Sequence, residues 1–430
     1  MRHQMRNTIK LLLVAIVAAI GTEISAQLPQ PVGSWSDRGA ASLSRSGSAS
    51  VSLPDGRTLV LGGVDADGNA TATVIAYDAI ANSATSVGQL LSPRAGHSAT
   101  VLNDGRVVVI GGRHDEPTID DIEIFDPSSG TSQLAGHLSE PRTDLGSALL
   151  PDGTVLIVGG TNAAGEALSS AEIFEPASAN TTPVSSSMQQ ARSGASATTL
   201  IDGRVLVVGG RNGSQDLQSA EIFDPFTGAF TLTDTLLSVA RSNHTAILLQ
   251  HNAGVLIVGG TSNGLPQVAS DLFLPAQFPD PFSWGTGTFT ATGGLNVPRS
   301  SAFGGATNGE GYAFVASGGA ANAEVYRFAT VKTDRDDYAP GERAVITGSG
   351  WQPGEAVKLL FQEDPAVHAD YVIDRDSDGN PLIVADENGN IFWDQWAPEP
   401  HDLNVRFYLL ATGSRSRAQT TFTDASDDKR

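Results

Sequence analysis

The hydrophobic pattern of the chain repeats one short phrase six times. Its centre is a four-residue apolar run with no polar alternation, Val205-Leu206-Val207-Val208, matched at Val107–Ile110, Val155–Val158 and Val255–Val258. A strand apolar on both sides is one buried on both faces. Before it stands a stretch of small and β-branched residues, Ser196-Ala197-Thr198-Thr199-Leu200, which predicts a strand crowded near a central axis. Asp202-Gly203 joins the two and supplies the positive φ of a tight hairpin, as do Asp55-Gly56, Asp104-Gly105 and Asp152-Gly153. Gly209-Gly210 closes the apolar run, and a third strand follows at Ala220-Glu221-Ile222-Phe223, stopped by Asp224-Pro225. The third strand recurs at Glu123–Pro127 and Glu172–Pro176.

Each copy opens on an arginine, at Arg45, Arg94, Arg142, Arg192, Arg241 and Arg299, and closes on glycine pairs beginning at Gly62, Gly111, Gly159, Gly209, Gly259 and Gly318. The glycine pairs are 49, 48, 50, 50 and 59 residues apart. A period near 50 means a repeat architecture of stacked units. The two ends of the array complete one another. Trp35 precedes Arg45 by ten residues, as Phe289 precedes Arg299, and Phe230 precedes Arg241 by eleven, so Ser34–Leu43 reads as a fourth strand that has lost its own unit. The sixth copy runs through Ala323–Tyr326 and has no fourth strand after it. Joining the ends makes six complete units and closes a ring.

Four short antiparallel strands repeated about a ring describe a β-propeller. The glycine doublet followed by an aromatic-Asp-Pro strand resembles the kelch repeat, most like bacterial kelch and galactose-oxidase-like propellers, over residues 30–330. The usual fourth-strand Trp is largely replaced here, with Trp35 closest to it. Residues 27–330 are thus expected to form a six-bladed kelch-type propeller whose last blade is closed by the N-terminal strand. The fifth copy carries extra residues around 277–287, with Phe278, Phe282 and Trp284, expected to pack on the C-terminal segment. Beyond Arg327 the period vanishes. Two Pro-Gly-Glu turns, a β-rich run at Val357–Gln362 and alternation at Val405–Ala411 predict a β-sandwich over 331–430. The stretch DYAPGERAVITGSGWQPGEAVKL resembles Ig-like modules of large bacterial surface proteins. The expected fold class is all-β.

Composition adds an address and excludes partners. Arg2, Arg6 and Lys10, the apolar Leu11–Ile20 and Ile24-Ser25-Ala26 before Gln27 have the tripartite form of a signal peptide over 1–26. Ten apolar residues fall short of the roughly 20 that span a bilayer as a helix. The chain is read as exported, to the periplasm, the cell surface or the medium, and not inserted in the membrane after cleavage. Without cysteine it has no disulfide staple. Removal of the leader leaves 23 basic and 46 acidic residues, a charge of −23, which repels nucleic-acid backbones and anionic lipid.

Chemistry is sparse. For the copper radical enzymes among galactose-oxidase-like propellers, the resemblance implies a Cys–Tyr cross-link, a Tyr-His pair and a further His. This chain has no Cys and no adjacent Tyr-His, so that chemistry is not expected. His97 and His244, three residues after their arginines, are read as structural histidines. The arginines with their serines, Arg45-Ser46, Arg94, Arg142, Arg192-Ser193, Arg241-Ser242 and Arg299-Ser300, leave two readings open. They could line a ligand-binding mouth with forks and hydroxyls suited to carboxylates or sugars, or form ion pairs with Glu123, Glu172, Glu221 and Glu324 as a repeated structural duty. Asp374, Asp376 and Asp378 before Gly379 open like a calcium loop, though position 12 is Ala385 and a polar hairpin turn would use the same residues. The loop Arg113-His114-Asp115-Glu116 holds acid–base groups. The expectation is an exported, non-catalytic protein that binds a glycan or an extracellular protein surface and needs no cofactor, calcium in the C-terminal segment apart. The alternatives are a copper-free carbohydrate-active enzyme, a mutarotase or lyase resembling the six-bladed kelch sialic-acid mutarotases, and a structural cell-surface protein.

Overall fold

The computed structural model describes residues 32–424 apart from 41–42, 44, 54, 80, 82, 115–117, 276–284, 308–310, 365–368 and 400–404. The leader, the aromatics Phe278, Phe282 and Trp284, and the Asp115-Glu116 pair lie outside the described residues. Every regular element among the described residues is a strand. Six four-stranded antiparallel sheets follow one another, called blades 1 to 6 here, and the inner strands begin at Ala49, Ser98, Gly146, Ser196, Thr245 and Phe303. Neighbouring inner strands touch in cyclic order, with that of blade 6 against those of blades 5 and 1. The outer strand of blade 6 is Trp35–Ala40, paired antiparallel with Asn322–Arg327 so that Trp35 faces Tyr326. The ring is closed by the chain's own first strand.

Six hydrophobic clusters sit one between each pair of blades, which explains the unalternating second strands. In blade 4, Val205 and Val207 pack with blade 3 residues Leu156 and Val158, while Leu206 and Val208 pack with Val255 and Ile257 of blade 5. All four are buried. At about 25 cal/mol per Å2 of apolar surface, each such side chain contributes roughly 1.5–3 kcal/mol. The hairpin glycines Gly56, Gly105, Gly153 and Gly203 all have φ between 84° and 87°. In blade 1 the Gly56 amide donates to Leu53 O and the Leu53 amide to Arg57 O, a three-residue loop ending on a left-handed glycine.

The sixth glycine pair differs from the sequence reading by one residue. In blades 1 to 5 the opening arginine donates to the carbonyl of the first glycine of the pair, Gly62, Gly111, Gly159, Gly209 or Gly259. In blade 6 Arg299 donates to Ser317, whose φ of 63° matches those glycines. The equivalent pair is therefore Ser317-Gly318. A Cβ on Gly209 would meet the Arg241 carbonyl at 2.6 Å, so serine is accepted only at the ring closure. There the Ser317 hydroxyl receives the Arg45 amide at 2.8 Å and donates to the Arg45 carbonyl.

Residues 332–424 form a three-stranded and a five-stranded sheet around one core that contains Trp351, Phe361, Trp396 and Phe422. The runs foreseen at 357–362 and 405–411 are the strands Lys358–Asp364 and Arg406–Thr412, paired with each other. Asn252, in the first hairpin of blade 5, donates to the Ala329 and Arg417 carbonyls at 2.8 and 2.7 Å, fastening this segment to the ring.

Candidate functional site

The loops that lead into each inner strand and those that follow each glycine pair lie on one face, held together by short bridges such as Ala95 with Arg113 and Ser193 with Arg211. On this face the structure decides between the two readings of the arginines. Arg94, Arg142, Arg192, Arg241 and Arg299 are 0–1% exposed, so they do not line a mouth. Each is ion-paired within its own blade: with Glu123 at 2.6 Å, Glu172 at 2.6 Å, Glu221 at 3.0 Å, Asp271 at 2.6 Å and Glu324 at 3.1 Å. Burial lowers the pKa of Arg94, Arg142, Arg192 and Arg241, and the paired acid pushes it back up. Arg45 differs because blade 1 has Ile75 where the others have an acid, opposite the second strand; it donates to the Gly62 and Thr73 carbonyls. The serines have separate fates. Ser46 is exposed, Ser193 Oγ lies 2.5 Å from Thr161 Oγ1, Ser242 is buried on Asp216 at 2.8 Å, and Ser300 donates its amide to Gly318 O. The serines do not converge on a common site.

What does converge is the residue two places after each arginine. Gly47, Gly96, Asp144, Gly194, Asn243 and Ser301 all hold φ between 51° and 65°. They are strung head to tail around the ring: the amide of Gly96 donates to Gly47 O (2.9 Å), Asp144 to Gly96 O (2.6 Å), Gly194 to Asp144 O (2.7 Å), Asn243 to Gly194 O (2.8 Å) and Ser301 to Asn243 O (2.8 Å). The left-handed conformation points the amides of blades 2 to 6 at the preceding blade, forming a collar where the chain enters the inner strands. Glycine adopts it without penalty, whereas a side chain there is strained and requires the surrounding structure to hold it. Three blades nevertheless place polar side chains in it.

Asp144 has the most perturbed environment of the three. Its carboxylate stands against Gly96, where an added Cβ would lie 2.8 Å from Oδ1. Burial raises its pKa above the ordinary carboxylate range, and the exposed Arg113 guanidinium and the Thr143 hydroxyl pull it part of the way back. Asn243 is exposed at the rim. Below the collar the inner strands carry a hydroxyl network: Ser147 Oγ lies 2.7 Å from both Ser98 Oγ and Thr100 Oγ1, and Ser196 Oγ lies 2.8 Å from His244 Nε2. Burial holds His97 and His244 at a pKa of about 3, with Arg94 and Arg241 reinforcing the effect, so both are neutral structural imidazoles.

The acidic run Asp374–Gly379 forms a hairpin turn. Asp376 Oδ1 accepts the amides of Asp378 and Asn380, and Arg375 donates to Gly379 O. Asp374, Asp376 and Asp378 do not gather their carboxylates as metal ligands; among the described residues the group of three that does so is Asp120, Asp121 and His137. The opposite face, at the Asp-Gly hairpins, holds a cavity of about 370 Å3 lined by Asp202, Arg204, Asp224, Phe226, Thr231 and Thr286.

A family model of the kelch motif matches residues 93–135 and 191–232. Among 334 matching chains of solved structures is that of YjhT, 12% identical, with a TM-score of 0.52 over 69% of this chain and 97% of that one. At that identity the likeness shows the fold alone. No curated protein matches the sequence significantly.

Proposed function

From the premise of a kelch-repeat β-propeller, we propose that this is an exported binding protein whose collar face takes a polyhydroxylated ligand, a glycan. The fold itself points to a binding or interaction role. The observation that carries the finer reading is the set of three strained polar residues, Asp144, Asn243 and Ser301, at positions where the other blades use glycine. Strain of about 1–3 kcal/mol per residue at a functional site is normally maintained by what the side chain does there. A carboxylate, an amide and a hydroxyl above the hydroxyl-bearing inner strands supply the donors and acceptors that sugar hydroxyls need. In this reading export follows from the leader-like residues 1–26, and residues 331–430 act as an Ig-like spacer or docking unit.

A glycan array on the mature chain, followed by calorimetry on its hits, tests this. Asp144→Gly and Asn243→Gly relieve strain and remove the contact. Both are expected to keep or raise the melting temperature; Asp144→Gly should weaken binding by tenfold or more, since a hydrogen bond to a charged group contributes roughly 1.5–3 kcal/mol, and Asn243→Gly by about two- to tenfold, since a neutral one contributes roughly 0.5–1.5 kcal/mol. Binding that survives both substitutions would sink the reading. The raised pKa of Asp144 beside Arg113 supports a second reading, acid–base chemistry on a sugar. Anomer exchange that Asp144→Asn abolishes, with binding retained, would favour it.

A further inference from the structure

Blade 2 departs from blades 1, 3, 4 and 5 at the base of its third strand. Backbone bonds common to blades 1 to 5 set the alignment. The carbonyl of Asp121 receives the amide of Gly111, as those of Thr73, Ser170, Ser219 and Ala269 receive Gly62, Gly159, Gly209 and Gly259. The carbonyl of Asp120 receives Leu138, as those of Ala72, Ser169, Gln218 and Val268 receive Leu90, Met188, Leu237 and Leu295. The fold therefore asks for no charge at either position, and blade 2 places two carboxylates there. It also places His137 just before Leu138, where the aligned residues are Gln89, Ser187, Leu236 and Gly294.

The side chains are directed at one another. Asp121 and His137 are direct cross-strand partners, the arrangement that brings two side chains together. Successive residues of a regular strand face opposite sides, but Asp120 precedes the strand and turns to the same imidazole. His137 Nδ1 lies 3.2 Å from Asp121 Oδ1 and 3.6 Å from Asp120 Oδ2. In blades 3 and 4 the hydroxyl of the residue aligned with Asp121 instead accepts a hydrogen bond from the buried arginine, Ser170 from Arg142 and Ser219 from Arg192.

We propose that Asp120, Asp121 and His137 form a binding site for a divalent transition cation of tetrahedral preference, with Zn2+ as the cation of choice. Tetrahedral zinc with ligand bonds of about 2.0–2.1 Å has edges of about 3.3–3.4 Å, and the two ligand separations fall on either side of that length. All three ligand atoms lie within 4.8 Å of one another. One imidazole with two carboxylates suits zinc; Ca2+ and Mg2+ favour all-oxygen sites of six or more ligands. The side chains are 38–55% exposed, which leaves the remaining coordination position to water or to a ligand's own oxygen. The site is separate from the collar residues and does not depend on the reading of the collar.

The test uses the full mature chain stripped of metal. Titration with ZnCl2 by calorimetry, and with Co2+ followed by the visible bands of tetrahedral cobalt, is expected to show one saturable site. His137→Gln and Asp120→Asn should each weaken it by at least the roughly tenfold loss that even outer-shell changes cause. Asp376→Asn, in the acidic turn of the C-terminal segment, should leave it unchanged. Thermal melts of the metal-free variants establish that each is folded, and if one is not, the other stands in for it. No saturable Zn2+ binding, or binding that His137→Gln and Asp120→Asn do not alter, overturns the proposal and leaves the cluster as an ion pair of histidine with carboxylates.

Discussion

Replacing Arg192 by methionine asks whether the repeated arginines belong to the fold. The guanidinium of Arg192 donates to the Gly209 and Ser219 carbonyls at 2.8 and 2.9 Å, to Ser219 Oγ at 3.0 Å, and to Glu221 at 3.0 and 3.2 Å. Removing one partner of a buried pair costs roughly 3–5 kcal/mol, mainly because the remaining charge is left uncompensated. Glu221 retains two amide donors, Gln189 N at 2.8 Å and Gln190 N at 3.2 Å, so the lower end, about 3 kcal/mol, is expected. For a chain of this size that corresponds to a fall in Tm of roughly 3–5 °C. Urea unfolding of the single variants and of the Arg192→Met, Glu221→Met double variant measures it. The double variant should be less destabilised than the sum of the singles, since it leaves no unpaired charge. A Tm within about 1 °C of the parent, with ligand binding lost, would refute the structural assignment and return Arg192 to the binding surface.

Two further perturbations address the histidines and the ring closure. His97 and His244 are held at about 3 in the fold against an ordinary 6.5, so the unfolded chain takes up protons first. Their contribution is complete above pH 6.5 and is lost as pH falls toward 3, by up to roughly 1.4 kcal/mol per pH unit each. Urea unfolding between pH 6.5 and 5 should show this slope, shallower in His97→Gln and His244→Gln; an unchanged slope would contradict it. Ser317→Ala leaves the Arg45 amide and carbonyl without the Ser317 hydroxyl, at a cost of about 1–3 kcal/mol. Hydrogen exchange should then quicken in Trp35–Ala40 before it does so in blades 2 to 4, and uniform exchange would argue against a local effect.

The ring was legible because its determinants are local and repeated. Val205–Val208 could only be a strand covered on both sides, and Ser34–Leu43 could only be a strand missing its unit. The register of the last pair was misread because glycine identity stood in for backbone conformation, and Ser317 adopts that conformation without being glycine. The ion pairs were visible as an alternative through Glu123, Glu172, Glu221 and Glu324; Asp271 fills the same place in blade 5 with a shorter side chain. The collar was missed although its signal was present: glycine in three copies and Asp, Asn or Ser in the others is the composition of a left-handed position. Asp144's altered acidity could not be read at all, since it depends on burial and on the neighbouring Arg113. The Asp374–Asp378 pattern left two readings open because a hairpin turn and a calcium loop share an opening, and only the direction of the carboxylates separates them.

The closure at Trp35–Ala40 also sets the order in which the molecule can assemble. Blades 1 to 5 take their strands from contiguous chain and can form as each is synthesised. Blade 6 must wait, because Trp35 meets Tyr326 across nearly the whole array, and contacts so distant in sequence form late. Until then the first strand to emerge has no partner, and the sheet Phe303–Arg327 presents a bare edge to any other extended chain. The same geometry that leaves the finished ring without a free blade makes its last hydrogen-bonded ladder the one that closes the greatest length of chain.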